Sequence, residues 1–498
     1  MIESPSVRDR VRAVLPGLVS GLLMLVVALY AATRPRLSWD EVTSAEVATR
    51  TTGQIWQLVQ HVDAVFGAYY WFLHFWTGIF GDSELSLRLP SILAMAGAVG
   101  LTAELGRRLF TPLIGLTTGL ILVIIPNTSR YAAEARPYAF VCLFSILGLL
   151  LLLAAVRGGP AGRVPKAVVW ALYGLSVLLL GGFNLIALTA LAAHATVAGI
   201  VAWRRRDWRP AGVWLLTVAL ALLPLAPLVY FGTQQDSTQL HWVKPITVAA
   251  IRAMPGEITG SSRVAWLLIG LAVLAAWQPA RRLTPIVVLA LGPFAAVALA
   301  SVLLSPMWVA RYMIVALAPL AILAAVALVA DTPEPRAWRD LIGGRMVRIG
   351  AVLLLLAAIA LPGQRSIRLP TAKNGPDYRG LATLVGTYDR PGDVIVYPPK
   401  NRAMRAGMDY YLRGVPDRPR DVLFQTPAGQ TGLLTAGEFT DDAARVAGAT
   451  GVWLVIADQR ADPLTARPHL RALLTAKYVE AGRWKKKHAT AVLYRLRG

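Results

Sequence analysis

Two adjacent carboxylates, Asp40 and Glu41, stand in the stretch LSWDEVTSAEV, just after the first long apolar run of the chain. A carboxylate held near a hydroxyl group can remove its proton and so activate the oxygen as a nucleophile. Two further titratable side chains, His61 and Asp63, follow before the next apolar run. These residue types and spacings predict an acid–base site between the first two apolar runs.

Simpler interpretations of the same residues remain open. Asp40 could cap the N-terminus of a helix, where an acidic side chain is favourable. Glu41 could orient a neighbour, bind a metal or face solvent. His61 and Asp63 could be ordinary polar loop residues.

A second group of charged side chains lies close to the ends of apolar runs and could hold an anion. Arginine and lysine bind phosphate and carboxylate oxygens through charge-assisted hydrogen bonds. A charge at membrane depth is costly unless it is paired or functional. Alternatively, Glu134 could pair with Arg130 along a helix end, Arg88 could simply begin a helix, and Arg311 could extend to the membrane surface. The group comprises Arg88, Arg130, Glu134, Arg136, Lys244 and Arg311.

The composition is that of a polytopic membrane protein. Of the 498 residues, 56% are hydrophobic and 16% are charged, whereas soluble proteins carry about 25% charged residues. The net charge of +22 is explained by basic loops that orient the chain and contact anionic lipid. Nucleic-acid binding is the weaker interpretation, because the basic residues fall mainly between apolar runs rather than on one face of a soluble domain.

Eleven apolar segments approach the length of about 20 residues that a membrane-spanning helix needs. We expect the first to be a retained signal anchor. The stretch 167–203 could instead form one long helix. The predicted spans are 13–32, 87–106, 112–126, 137–156, 167–181, 184–203, 211–231, 264–277, 284–304, 309–330 and 347–362.

The basic residues between these segments predict the orientation in the cell membrane, because lysine and arginine accumulate in cytoplasmic loops. With the N-terminus in the cytoplasm, six basic clusters fall on that side. The loops 33–86 and 232–263, and everything after about residue 363, then lie outside the cytoplasm. The clusters are Arg8 to Arg12, 107–108, Arg157 to Lys166, 204–209, 281–282 and Arg336 to Arg348.

The first outer loop and the C-terminal region each have a predicted structure. Aromatic residues of the loop, among them Tyr69 and Tyr70, suit helices that lie in the membrane interface. After residue 363 the runs PGDVIVYPP and TGVWLVIAD predict strands, and PDYRGLATLVGTYD and LTARPHLRALLTAKY have helical spacing. We therefore predict an α-helical polytopic membrane domain, residues 1–362, and a small extracytoplasmic α/β domain, residues 363–498.

The motifs resemble those of a known superfamily. Asp40 and Glu41, placed after the first helix, look like the Asp-Glu motif of the GT-C glycosyltransferases. HVDAVFGAYYWFLHFWTGIFGDSELSLRLPSILA is similar to the stretch that follows in the family-39 branch. That branch includes protein O-mannosyltransferases, the lipid A aminoarabinose transferase and actinobacterial mannosyl- and arabinofuranosyltransferases. SRYAAEARPYAF and ARYMIVALAP resemble two further family stretches, so that the resemblance covers roughly residues 10–330.

The resemblance implies an inverting transfer of a sugar, mannose foremost, from a polyprenyl-phosphate donor. The acceptor would be a hydroxyl of a cell-envelope glycolipid, polysaccharide or protein. Asp40 maps to the general base, and cations must stabilise the leaving phosphate. The remaining residues implied in donor or acceptor binding are Glu41, His61, Asp63, Tyr69, Tyr70, Arg88, Arg130, Glu134, Arg136, Lys244 and Arg311.

This sequence departs from part of the family. Some members carry Glu-Lys-Pro-Pro at the second acidic position, whereas here Asp63 is followed by AVFGAYY. The difference argues against an aminoarabinose donor. No cofactor is implied with certainty, although two acids could hold a divalent cation. The membrane lipid is an expected partner, and nucleic acid is not.

Two other functions stay open. An arabinofuranosyltransferase of the same superfamily would share the motifs. A transporter or flippase of lipid-linked sugars would be expected to show inverted repeats and ionisable residues at mid-membrane. The candidate acids here lie at one face and no repeat is visible, which favours chemistry over transport. A silent scaffold whose outer domain binds glycan is disfavoured by the intact Asp40.

Overall fold

The computed structural model describes residues 7–157, 165–235, 242–277, 280–329 and 344–498. Arg163, Arg336 and Arg339, which the predicted orientation uses, lie outside the described residues. In chain order the helices are α1 (Val7–Leu29), α2 (Trp39–Ala48), α3 (Thr52–His61), α4 (Gly67–Phe80), α5 (Glu84–Leu109), α6 (Pro112–Ile124), α7 (Pro126–Ala132), α8 (Tyr138–Arg157), α9 (Lys166–Phe183), α10 (Leu191–Arg205), α11 (Arg209–Leu222), α12 (Ala226–Gln234), α13 (Val248–Thr259), α14 (Ser262–Leu274), α15 (Ala280–Leu303), α16 (Leu317–Val329), α17 (Gly344–Ser366), α18 (Tyr378–Tyr388), α19 (Arg402–Leu412), α20 (Ala428–Thr431), α21 (Asp442–Val446) and α22 (Pro468–Lys477).

Within the part of the chain that the structure describes, the strands all follow residue 390. They are β1 (Asp393–Val396), β2 (Arg420–Asp421), β3 (Phe424–Thr426), β4 (Gly437–Glu438), β5 (Gly451–Ile456), β6 (Tyr478–Lys486) and β7 (Ala489–Leu496).

The chain divides into two compact units. Unit 1 comprises 1–32, 63–69 and 88–367, and unit 2 comprises 33–62, 70–87 and 368–498. Unit 2 thus contains helices of the first loop as well as the C-terminal region. The domain boundary predicted after residue 362 stays a prediction.

Unit 1 is built from apolar helices. Within the described residues, seven helical stretches are long and apolar enough to cross a membrane, and two bent helix pairs could each form one further span. Two shorter apolar helices, Val14–Leu29 and Ile314–Val329, correspond to the first and tenth predicted spans. Each of the eleven predicted spans therefore coincides with a helical element. The stretch 167–203 forms two helices rather than one, with Asn184 capping the turn between them.

The two bent pairs meet within unit 1. α6 and α7 are bent by 72°, and α13 and α14 by 94°. The side-chain amide of Asn127 donates to the carbonyls of Glu257 and Ile258 at 2.5 and 2.9 Å, which satisfies the exposed end of α13. Gly260 ends that helix with φ +79°, where a Cβ would lie 2.8 Å from the Asn127 side-chain oxygen. Glycine is therefore required at this bend.

Unit 2 contains a five-stranded sheet in the order β2-β1-β5-β7-β6. β1 pairs in parallel with β2 and β5, whereas β5, β7 and β6 pair antiparallel. All residues of β1 and β5 are buried, as expected for central strands covered on both faces. These strands and helices α18 and α22 confirm the four predicted elements of the C-terminal region. The long hairpin β6–β7 was not predicted.

Candidate active site

The two acids of the opening motif lie at the N-terminus of α2 in unit 2. Ser38 is the N-cap residue, and its hydroxyl accepts a hydrogen bond from the Glu41 backbone N–H at 3.2 Å. Glu41 in return accepts from the Ser38 N–H at 2.9 Å, which completes a capping box. The simpler interpretation of Asp40 as the helix cap is therefore wrong. Ser38 and Glu41 form the cap, and Asp40 lies within the first turn of the helix.

Asp40 and Glu41 have opposite environments although they are neighbours. Glu41 is completely buried, and its Oε1 accepts from Nζ of Lys373 at 2.8 Å. The side chain of Asp40 is 18% exposed, and its Oδ1 lies 3.7 Å from a guanidinium nitrogen of Arg402. A buried carboxylate needs a paired cation, which Lys373 supplies. Of the two acids, Asp40 is therefore the one that a substrate can reach.

Neither Lys373 nor Arg402 was identified from the sequence. Lys373 lies 332 positions from Glu41 in the chain, and no local spacing relates the two. Arg402 begins α19 of the C-terminal region, far from the opening motif in sequence. A lysine in a polar stretch gives no signal by itself, so the pairing is a product of the tertiary structure.

His61 and Tyr70 are the other predicted site residues of unit 2, and they differ in exposure. His61 ends α3 on the surface, with its Nδ1 2.8 Å from the carbonyl oxygen of Gln57. Tyr70 is completely buried within α4. His61 is therefore placed to meet solvent, whereas Tyr70 is placed as a packing residue. Their roles in binding stay predictions.

Asp63 and Tyr69 belong to unit 1. Asp63 adopts a left-handed backbone with φ +57° and precedes a single helical turn, Ala64–Phe66. Its carbonyl accepts from the Phe66 N–H at 2.9 Å, and its side chain is almost fully buried. Tyr69 is buried and packs edge-on against the rings of Phe140 and Phe183.

The stretch between α7 and α8 brings Arg136 to the turn that follows Asp63. The Arg136 guanidinium lies over the Phe66 ring at 4.3 Å from its centroid, and Arg136 is only 4% exposed. The Arg136 carbonyl accepts from the Ser91 hydroxyl at 3.1 Å. Glu134 is buried beside it, and Arg130 lies over the Tyr131 ring. Of the predicted cations, Arg136 is thus placed against the turn that follows the second acidic position.

Arg311 and Lys244 occupy another part of unit 1. Arg311 lies in the short helical turn Ala310–Tyr312, with its guanidinium 5.1 Å from the centroid of the Trp242 ring. Lys244 follows two residues after Trp242 and is exposed. Arg88 differs from both, since it is fully buried and donates to the Ala32 carbonyl at 2.7 Å, beyond the end of α1.

The geometry does not fit a metal ion held jointly by Asp40 and Glu41. Both carboxylate oxygens of Glu41 already accept hydrogen bonds, one from Lys373 and one from Ser38. Across the described ranges, no group of three or more histidine, cysteine, aspartate or glutamate side chains is arranged to hold an ion.

Comparisons with known proteins found similar sugar transferases. A family model described as dolichyl-phosphate-mannose-protein mannosyltransferase matches residues 68–231. An undecaprenyl phosphate-alpha-4-amino-4-deoxy-L-arabinose arabinosyl transferase of Pseudomonas aeruginosa is 30% identical over 340 residues, which cover 64% of this chain and 58% of that protein. The match therefore spans less than two-thirds of that relative.

Solved structures share the fold over nearly the whole chain. ArnT from Cupriavidus metallidurans in the apo state superposes with a TM-score of 0.61 at 15% identity, covering 95% of this chain and 97% of that one. The same protein bound to undecaprenyl phosphate gives a TM-score of 0.57.

Fold and site define a class: a helical membrane protein of many spans with a small α/β region and a capped acidic helix after the first span. The matching family model and the Pseudomonas relative are described as sugar transferases, and the fold is similar to that of ArnT, which agrees with the resemblance of the motifs to the GT-C glycosyltransferases.

Proposed function

We propose that this protein transfers a sugar from a polyprenyl-phosphate donor to a hydroxyl acceptor of the cell envelope, with Asp40 as the general base. One observation carries the proposal most directly. Two neighbouring carboxylates are given opposite environments, with Glu41 buried in an ion pair and Asp40 accessible. Two acids that lie in different environments are typical of active sites in which each acid has a different role.

The reaction requires one proton transfer and one displacement. Asp40 accepts the proton of the acceptor hydroxyl while that oxygen bonds to the anomeric carbon of the sugar. The bond between that carbon and the phosphate oxygen breaks with inversion, and the polyprenyl phosphate departs with the electron pair. Because the phosphate is a good leaving group, no general acid is needed, and cations stabilise the developing charge instead.

We propose Arg136 and Arg311 as the main candidates for that stabilisation. Each guanidinium lies over an aromatic ring, Arg136 over Phe66 and Arg311 over Trp242. A guanidinium over an aromatic ring keeps its charge, which can attract a phosphate group. Arg130 and Lys244 are further candidates on the same chemical grounds.

The donor is proposed from the comparisons and the sugar from the sequence. A crystal structure of ArnT contains bound undecaprenyl phosphate, and the description of the matching family names dolichyl-phosphate-mannose. Among sugars we propose mannose, because Asp63 lacks the Lys-Pro-Pro that follows the second acid in some relatives. The aminoarabinose named in the Pseudomonas relatives is the competing donor.

The membrane orientation is part of the proposal. The N-terminus lies in the cytoplasm, and the acidic helix and the C-terminal region lie outside it, because the basic clusters fall in alternate loops. The acceptor is a glycolipid, polysaccharide or protein on that side.

Donor consumption by the purified full-length protein tests the proposal. Radiolabelled polyprenyl-phosphate mannose, arabinofuranose and 4-amino-4-deoxyarabinose would each be offered with cell-envelope extract. We expect label from the mannosyl donor to enter an envelope product with wild-type protein and not with Asp40→Asn. If the aminoarabinose donor is consumed instead, mannose is the wrong sugar. If none of the three donors is consumed, the proposed enzymatic function is refuted.

A further inference from the structure

A short segment of the C-terminal region lies against the start of the acidic helix. We name residues 370–377 the strap. The Arg36 N–H donates to the Pro370 carbonyl at 3.0 Å, and the Trp39 N–H donates to the Asn374 carbonyl at 3.3 Å. The strap therefore binds the backbone on both sides of the N-cap residue Ser38.

Side-chain contacts also stabilise the packing of the strap against the start of α2. The guanidinium of Arg36, only 1% exposed, donates to the Gly375 carbonyl and lies 3.6 Å from the Asp377 carboxylate. Gly375 has φ +98°, and a Cβ there would lie 3.1 Å from both the backbone nitrogen and the Cβ of Trp39. Only glycine allows so close an approach of the strap to α2.

Lys373 projects from the centre of the strap to Glu41. Its Nζ donates to Oε1 at 2.8 Å, while Oε2 of the same carboxylate holds the Ser38 N–H. Both side chains are shielded from water, with Lys373 8% and Glu41 0% exposed. The chain of contacts from Lys373 through Glu41 to Ser38 fixes the first turn of α2, and Asp40 lies within that turn.

We propose that Lys373 is a positioning residue for the general base, so that the strap makes the C-terminal region part of the catalytic apparatus. The inference rests on the proposed function. Lys373 touches neither donor nor acceptor, and acts by holding Glu41, the capping box and hence the direction of the Asp40 carboxylate. A misplacement of about 1 Å is enough to lower a rate by about 100-fold.

The alternative is that the pair only stabilises the fold. Unit 2 offers a control in Arg467, whose side chain is also 8% exposed and pairs at 2.6 Å with Glu438, a carboxylate that Arg405 holds as well. Arg467 donates as well to the Tyr397 carbonyl, at the end of β1. Removing Lys373 takes the cation from the fully buried Glu41, whereas Glu438 is 15% exposed and keeps Arg405 at 2.7 Å when Arg467 is removed. Of the two cations, only Lys373 is joined to the acidic helix.

The experiment compares Lys373→Met, Lys373→Arg and Arg467→Met in the full-length protein. Transfer kinetics would give kcat and the donor KM, and hydrogen exchange would report on the backbone of α2. We expect Lys373→Met to lower kcat by about 10- to 100-fold with little change in donor KM. In the same Lys373→Met variant, hydrogen exchange in α2 should accelerate. The Lys373→Arg variant should recover most of the transfer rate. The Arg467→Met variant should keep the wild-type kcat and the wild-type protection of α2.

The outcomes separate the inference from the function on which it rests. An unchanged kcat in Lys373→Met would overturn the inference, as would equal losses in Lys373→Met and Arg467→Met. If the wild-type protein transfers no sugar, the proposed function fails. Exchange in α2 then still decides whether Lys373 holds the acidic helix, since unaltered protection in Lys373→Met would refute that placement.

Discussion

Asp40 and Arg402 face each other at 3.7 Å between carboxylate and guanidinium, although one lies at the start of the chain and the other begins α19. Both side chains remain partly exposed, at 18% for Asp40 and 44% for Arg402. A pair of this kind is screened by water and contributes little to stability. Its interest is chemical, because it leaves the carboxylate oriented and still accessible.

Replacing Asp40 tests the general base. Asp40→Asn keeps the shape of the side chain and removes its capacity to accept a proton, so we expect kcat to fall by at least about 100-fold. Asp82→Asn is the control, since Asp82 is another partly exposed acid of unit 2 paired with an arginine, Arg413. Single-turnover transfer measures both. Wild-type turnover in Asp40→Asn would remove Asp40 from the chemistry.

Arg402 should matter less than Asp40. Because the pair is partly exposed, Arg402→Gln is expected to lower kcat by less than about 10-fold, which corresponds to less than about 1.4 kcal/mol. Raised salt should reduce wild-type activity towards that of the variant, since salt screens exposed charges. Transfer rates measured over a range of sodium chloride concentrations provide the check. A loss as large as that in Asp40→Asn would mean that Arg402 contacts a substrate.

Arg136→Ala tests the cation that would hold the donor phosphate. We expect donor use to weaken more than acceptor use, by about 10-fold or more in kcat/KM for the donor, because a charge-assisted hydrogen bond to phosphate is lost. Arg365→Ala is the control, as Arg365 is an exposed arginine in the last turn of α17 in the same unit. Steady-state kinetics with each substrate varied in turn would separate the effects. Equal losses for both substrates would contradict the assignment.

Asp389 should make the stability of unit 2 depend on pH. Burial disfavours its charged form and neighbouring Asp393 adds a hydrogen bond and repulsion, which together raise the pKa of Asp389 to about 6. A carboxyl group whose pKa is raised by folding stabilises the protein fully at pH values below its ordinary pKa. That contribution is lost as the pH rises through about 6. We therefore expect thermal stability to increase when the pH is lowered from about 7 to about 5.

The Asp389→Asn variant should flatten that increase. Asp458→Asn is its control, because a hydrogen bond from Arg460 lowers the pKa of Asp458, so that its titration lies outside this range of pH. Scanning calorimetry of the full-length protein at several pH values measures the effect. The same pH dependence in Asp389→Asn as in wild type would contradict the prediction.

Cysteine labelling tests the orientation. Cys142 is the single cysteine of the chain and is buried, so a Cys142→Ser background carries no thiol. In that background, Gln57→Cys should react with a membrane-impermeant maleimide from outside intact cells. Arg204→Cys should react only after the membrane is opened, since it lies in a basic cluster expected to be cytoplasmic. The reverse labelling pattern would show that the orientation in the membrane is opposite to the proposed one.

Much of the fold follows from the sequence because its signals are local. Hydrophobicity over about 20 residues is enough to locate a span, and all eleven predicted segments coincide with helical elements. The buried strands β1 and β5 were predicted from short β-rich runs for the same reason. The hairpin β6–β7 was missed because WKKKH interrupts its apolar pattern, and the bends at Ile125 and Gly260 depend on partners distant in sequence.

The candidate site, like the fold, could be predicted from the sequence only in part. The adjacent acids Asp40 and Glu41, placed after the first span, could be found from the sequence, since their type and position carry the signal. Which of them is accessible was decided by the tertiary structure, because the burial of Glu41 depends on Lys373 in the strap. A side chain's exposure and charge partner are set by whatever the folded chain packs against it, and residue spacing does not encode that over such distances.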